Sequence, residues 1–145
     1  DEAKSKATFK EINGTRYSFP GDYATVEKDG SITLLGRGSV CINTAGEKVF
    51  PEEVEEAMKR NEEVVDCLVV GIPDEKFGER VIAVTSLDEG SDIDDTLLID
   101  FCRENLAGYK VPKQVLMVEH VRRAPNGKAD YKWAKSEALK AFGEK

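Results

Sequence analysis

The chain of 145 residues carries a formal net charge of −7, with 40% hydrophobic and 34% charged side chains. At that length it can bury a core without disulfides or metals, and the composition excludes collagen-like, wholly disordered and helix-spanning membrane sequence. The acidic balance argues against nucleic-acid binding by the chain as a whole.

In chain order, residues 8–12 and 15–19 read as strands flanking Asn13-Gly14, a dipeptide that favours a two-residue hairpin turn. Pro20-Gly21-Asp22 breaks the pattern, and residues 23–27 and 31–35 repeat it around Lys28-Asp29-Gly30. Two hairpins are too little for an independent core. Gly36-Arg37-Gly38-Ser39 then offers the backbone freedom a hinge needs, and a domain boundary is placed there. Residues 40–43 and 48–50 are short apolar segments around Thr44-Ala45-Gly46-Glu47. Pro51 suits the first position of a helix, the glutamates at 52, 53, 55 and 56 complement its dipole, and Val54, Ala57 and Met58 form its buried stripe. Residues 66–72, ending at Pro73, and residues 80–87 are nearly unbroken apolar runs that read as central strands. Asp94-Asp95 opens a second helix whose Leu97, Leu98, Phe101, Cys102 and Leu106 share a face, and Gly108 ends it. Residues 114–118 form a strand, residues 122–127 a loop, and residues 131–142 a last helix. The expected fold is α+β. A short hairpin and a central sheet of about three strands with helices occupy residues 38–145, preceded by β-hairpins over residues 1–37.

The charge is unevenly placed. Residues 47–104 carry 18 acidic and 6 basic side chains, and residues 107–135 carry 2 and 7. The acidic stretch suits solvated helix faces, whereas the basic one suits an anionic ligand. Cys41, Cys67 and Cys102 are widely spaced, so neither a disulfide framework nor a metal site is expected, and reduced thiols fit a cytoplasmic protein. The single histidine, His120, reads as a surface or strand-end residue, and no Ser/His/Asp hydrolase is expected. No apolar signal segment is present, and the start at Asp1 leads to the expectation of a piece of a longer protein. Three positions could carry chemistry. Lys128 stands behind Asn126-Gly127 on a turn that projects its ammonium, which suits a developing phosphate or carboxylate charge and equally an ordinary exposed lysine. Gly46 would admit a ligand to the backbone, with Lys48 two residues on, or simply make a turn. Asp22 could accept hydrogen bonds from a diol or cap its own turn.

The order of these stretches is more specific than any one of them. Pro20-Gly21-Asp22; Leu35-Gly36-Arg37 followed by Ile42-Asn43, Gly46, Lys48 and Pro51-Glu52-Glu53-Val54-Glu55; Gly78-Glu79-Arg80-Val81; Tyr109-Lys110-Val111-Pro112; and Pro125-Asn126-Gly127-Lys128 all follow one pattern. In that order they resemble the C-terminal domain of the adenylate-forming (AMP-binding) superfamily, which includes acyl-CoA synthetases, peptide-synthetase adenylation domains and luciferases. The Gly-Arg-Gly-Ser-Val-Cys-Ile-Asn run at 36–43 is most similar to bacterial fatty-acyl or steroid side-chain CoA ligases.

The resemblance implies that residues 1–37 are the tail of a large N-terminal adenylation domain and residues 38–145 a mobile lid. It implies that Asp22, assisted by Arg37, binds the ribose hydroxyls of ATP, and that Lys128 is the catalytic lysine stabilising the transition state that forms an acyl-adenylate. Arg37, Gly38 and Ser39 would form the hinge. After rotation, the loop with Gly46 and Lys48 would shape the pantetheine channel for attack by CoA, a Cβ at Gly46 crowding that channel. ATP with Mg2+ and CoA are the implied cosubstrate set, the Mg2+ ligands lying in the N-terminal domain, and a carboxylic acid, fatty in kind, is the substrate. Two positions depart from the family: Ser39 stands where a hinge aspartate is usual, and Tyr131 where an arginine is. The resemblance further implies a chain inactive alone, in the cytoplasm and peripheral to a membrane where the acyl chain is long. A carrier-protein-loading adenylation domain and a non-catalytic binding or regulatory remnant are the alternatives.

Overall fold

The computed structural model describes residues 1–143, divided into two compact units, Asp1–Ser39 and the chain from Val40 onward. The first unit opens with α1 (Glu2–Thr8), which the sequence did not announce. Asp1 caps it by accepting from the Lys4 N–H at 3.3 Å, and a Glu2–Lys6 ion pair spans its single face at 2.9 Å. Strands β1 (Phe9–Ile12) and β2 (Thr15–Ser18) follow as an antiparallel pair with Ile12 opposite Thr15. Asn13 and Gly14 both take positive φ, 52° and 76°, the two-residue turn expected of that dipeptide. Strands β3 (Asp22–Val26) and β4 (Ile32–Arg37) form the second hairpin, whose turn is closed by the Asp29 carboxylate accepting from the Ser31 N–H and hydroxyl at 3.0 and 2.7 Å. None of the buried core residues comes from this unit, and Val26, Ile32 and Leu34 are 76%, 70% and 70% exposed. The expectation that two hairpins cannot own a core holds.

From Val40 the chain builds one five-stranded sheet with helices on both faces. Its elements are β5 (Ile42–Thr44), β6 (Glu47–Val49), α2 (Pro51–Met58), β7 (Val64–Asp74), β8 (Gly78–Leu87), α3 (Asp95–Asn105), β9 (Gln114–Met117) and α4 (Tyr131–Phe142). Strands β7 and β8 pair antiparallel along nearly their whole length, β9 runs parallel to β8, and the β5–β6 hairpin joins β8 through Thr44 opposite Gly78. The α+β class holds, but the short hairpin is part of the sheet, which is therefore wider than three strands.

Period-two alternation sends β7 and β8 side chains to opposite faces. Cys67, Val69, Val81 and Ala83 pack with Val54 and Met58 of α2 and Leu98 and Cys102 of α3. Leu68, Val70, Ile72, Ile82 and Val84 pack with Ala134 and Ala138 of α4. Burial on both faces explains the unbroken apolar runs. Of the two strands read as central, only β8 is; β7 lies at the edge, and that position tolerates Pro73 inside the strand rather than just beyond it. Helix α3 ends at Asn105, before the expected Gly108, which instead starts a 3-10 turn, Gly108–Lys110. Leu97 is 56% exposed and does not share the buried face of α3, which is Leu98 and Cys102 with Ile99 and Leu106 packed beside them.

Candidate functional site

Lys128 sits on a narrow turn after β9. Arg123 and Ala129 form an antiparallel bridge, the Ala124 N–H donates to the Lys128 carbonyl at 2.8 Å, and the Gly127 N–H donates to the Ala124 carbonyl at 2.8 Å. Gly127 has φ 77°, a conformation that costs a Cβ-bearing residue energy, and the Asn126 side-chain oxygen accepts from the Lys128 N–H at 3.2 Å. The lysine side chain is exposed, and among the described residues no salt bridge engages it. A free ammonium on a stiff turn can stabilise negative charge on an approaching group.

The second loop is the β5–β6 turn. Ala45 and Gly46 carry φ 52° and 84°, so the hairpin closes with Thr44 opposite Glu47. Gly46 is required by its backbone angle; a Cβ there would meet nothing within 4 Å among the described residues, and Lys48 is exposed on β6. Two contacts that sequence did not reveal hold this hairpin. The Ala45 N–H donates to the Phe77 carbonyl at 2.7 Å, and the Glu79 carboxylate accepts from the Asn43 N–H at 3.0 Å. Gly71 makes room for them: a Cβ there would lie 2.7 Å from Ile42 Cγ2 and 3.0 Å from the Glu79 carboxylate. Beside the hairpin, the ammonium groups of Lys76 and Lys113 lie 5.1 and 5.7 Å from the centroid of the Phe77 ring, and that of Lys110 lies 5.6 Å from that of Tyr109. Cations flanking an aromatic face suit a planar, anionic ligand.

In the first unit, Asp22 and Arg37 are cross-strand partners at the open end of the β3–β4 hairpin, with Arg37 Nε donating to Asp22 Oδ1 at 3.2 Å. Gly38, next to them, packs so tightly on Tyr23 that an added Cβ would fall 2.6 Å from its ring, and Ser39 is exposed at the end of the unit. The two residues expected to bind a diol are thus brought together. The two loops of the second unit are fastened at different ends of the ladder: the Gly46 hairpin through Thr44 opposite Gly78, where β8 begins, and the Lys128 turn through Arg123 to Asp66, opposite Ser86 near the end of β8.

Buried titratable groups cluster behind the Lys128 turn. Burial pushes the Glu55 carboxyl up to about 7, against hydrogen bonds from the Val69 N–H at 2.9 Å and the Tyr131 hydroxyl at 3.3 Å. Tyr131 is therefore tied to α2. Burial likewise raises the thiols of Cys67 to about 12 and Cys102 to about 11, so neither is a nucleophile at neutral pH. All three cysteines are free, and His120 is exposed beside Glu119.

Comparison with known proteins gives this geometry a family. The profile described as AMP-binding enzyme C-terminal domain matches residues 53–128, just over half of the chain. The chain belongs to that family. This AMP-binding C-terminal domain is 58% identical over 137 residues to the 3-oxocholest-4-en-26-oate–CoA ligase of Rhodococcus rhodochrous, covering 94% of the chain and 25% of the relative. It is 53% identical over 137 residues to the medium/long-chain-fatty-acid–CoA/3-oxocholest-4-en-26-oate–CoA ligase of Mycobacterium tuberculosis H37Rv, with the same coverage. The chain thus spans about a quarter of the length of these curated relatives. Among solved structures, ATP-bound MatB from Rhodopseudomonas palustris superposes with TM-score 0.81 at 29% identity, covering 99% of the chain and 28% of MatB. A Mycobacterium tuberculosis fatty acyl CoA synthetase gives 0.72 at 28% identity, covering 95% of the chain and 26% of that protein.

Proposed function

We propose that the chain is the C-terminal part of an ATP-dependent acyl-CoA ligase acting on a fatty or steroid side-chain carboxylic acid. In the first half-reaction the substrate carboxylate oxygen attacks the α-phosphorus of ATP, pyrophosphate departs, and an acyl-adenylate forms. Lys128 places its ammonium against the negative charge that spreads over the phosphate oxygens in that transition state. Asp22 accepts hydrogen bonds from the ribose hydroxyls and Arg37 orients it. In the second half-reaction the CoA thiol, losing its proton, attacks the acyl carbonyl and AMP leaves; the Gly46 hairpin lines the approach of the pantetheine, and Lys48 with the Lys76–Phe77–Lys113 cluster suits the phosphates and adenine of CoA. Residues 37–39 form the hinge between the half-reactions, residues 1–37 belonging to an N-terminal adenylation domain and residues 38–145 to the lid. Mg2+ accompanies ATP, its ligands belonging to the N-terminal adenylation domain. The site of action is the cytoplasm, at a membrane surface for long acyl chains; no described helix is long and apolar enough to cross one.

The observation that carries this reading is the exposed, unpaired Lys128 ammonium on a turn fixed by its own backbone, in a chain so similar to two CoA ligases. The test compares full-length wild type with Lys128→Ala in two assays: pyrophosphate release from ATP and acid, and thioester formation from supplied acyl-adenylate and CoA. The expected result is a loss of about 100-fold in the first with the second retained. Unchanged pyrophosphate release removes Lys128 from the reaction. In the same assays the isolated chain makes no acyl-CoA, and formation of the thioester by it alone would overturn the reading of an incomplete catalytic fragment and with it the non-catalytic remnant alternative.

A further inference from the structure

A lysine that acts at a distance from its sheet needs something to hold its turn, and the hydrogen bonds within the turn fix its shape but not its place. Among the described residues, the side chain that ties it to the sheet is Arg123. Its Nε and Nη2 donate to the two oxygens of Asp66 at 2.6 Å each, a bidentate pair, while its Nη1 donates to the Gly127 carbonyl at 3.3 Å. Asp66 belongs to β7, opposite Ser86 of β8, and its Oδ1 also accepts from the Cys67 N–H at 2.8 Å. The planar guanidinium therefore runs from a strand of the sheet to the peptide group immediately before Lys128. By side chain Asp66 is 20% exposed and Arg123 33%, so solvent screens the pair in part, and its hold comes from the bidentate, charge-assisted geometry. Although burial works to raise it, the Asp66 carboxyl is held below the usual range, chiefly by its hydrogen bond from Arg123. Residues 57 positions apart are thereby locked to one another.

We infer that Arg123 and Asp66 are positioning residues for the adenylate-forming half-reaction, clamping the Lys128 turn to β7 so that the ammonium is presented at a fixed place. The inference rests on the role proposed for Lys128. Arginine is needed because only a planar fork reaches both carboxylate oxygens and a third acceptor at once. The Gly46 hairpin has separate fastenings, Glu79 and the Phe77 carbonyl, so loosening the clamp leaves the thioester-forming half untouched.

The experiment is a double-mutant cycle in the full-length ligase, with both half-reactions measured for Arg123→Ala, Asp66→Asn, Lys128→Ala and Arg123→Ala with Lys128→Ala. The clamp predicts that Arg123→Ala and Asp66→Asn each slow pyrophosphate release roughly 10- to 100-fold, leave thioester formation from supplied acyl-adenylate within about twofold, and add no further loss once Lys128 is gone. Arg123→Lys, which keeps the charge but not the fork, recovers only part of the rate. Losses that multiply in the Lys128→Ala background overturn the inference, as does an equal fall of both half-reactions in Arg123→Ala and Asp66→Asn, which would mean the pair holds the domain together instead. A Lys128→Ala enzyme of normal adenylation rate overturns the role of the lysine and the clamp with it, whereas a crippled Lys128→Ala enzyme beside an unaffected Arg123→Ala enzyme overturns the clamp alone.

Discussion

Glu55 is a carboxyl group 5% exposed among Val54, Ala57 and Met58 on the buried side of α2. A glutamate ordinarily loses its proton near 4.5, but burial moves this one to about 7 in the folded chain, with Glu52 adding to the rise and Lys59 opposing it. Between those values the folded state keeps a proton that the unfolded state has released, so folding stability from this group is greatest at low pH and falls as pH rises. The fall over that window is about 3 kcal/mol. Glu55→Gln keeps a carbonyl oxygen to accept from the Val69 N–H and offers its NH2 to the Tyr131 hydroxyl oxygen, but does not titrate. The variant should gain on the wild type from pH 5 to about pH 7 and then hold level when both are unfolded by urea, and a constant difference from pH 5 to pH 7 would show that Glu55 does not titrate there. Neither the pair with Tyr131 nor that with Val69 was legible in the sequence, because partners 76 and 14 positions away are set by packing alone. Asp66 and Arg123 went unseen for the same reason, whereas Lys128 was legible because Asn126-Gly127 signals its turn locally.

At the scale of elements, local chemistry explains both what was legible and what was not. Asn13-Gly14 announced its hairpin, and Pro51 with its following glutamates announced α2, since each signal acts within a few residues. Helix α1 has seven residues, no buried side chain and one capping bond, so it leaves no apolar period to read. The strand across Pro73 was cut short because proline at an edge is indistinguishable in sequence from proline after a strand. The β5–β6 turn was legible only as a loop, for its first central residue is Ala45, a residue that resists the positive φ of 52° it adopts. Asparagine accepts that angle more readily. Ala45→Asn should therefore raise stability by about 1 kcal/mol, seen as a higher urea midpoint at unchanged slope; a lower midpoint would mean that the alanine methyl packs favourably in its strained position.

The division of labour across the molecule from Val40 onward follows from the β7–β8 ladder. The Gly46 hairpin is fastened where Asp74 faces Gly78, and the Lys128 turn where Asp66 faces Ser86. Eight residues of strand separate Asp66 from Asp74, about 26 Å of extended chain, and the buried side chains on both faces make that length rigid. If both loops serve one active centre, as proposed above, a stiff rod bearing one at each end cannot offer both to it at once, and bending cannot bring them together. On the function proposed above, each catalytic cycle would then include an end-for-end turn of the whole body through solvent, a motion opposed by drag. Glycerol or sucrose should accordingly slow the complete reaction in proportion to solvent viscosity while each half-reaction, measured singly, keeps its rate; equal sensitivity of all three would mean that no such turn limits the cycle.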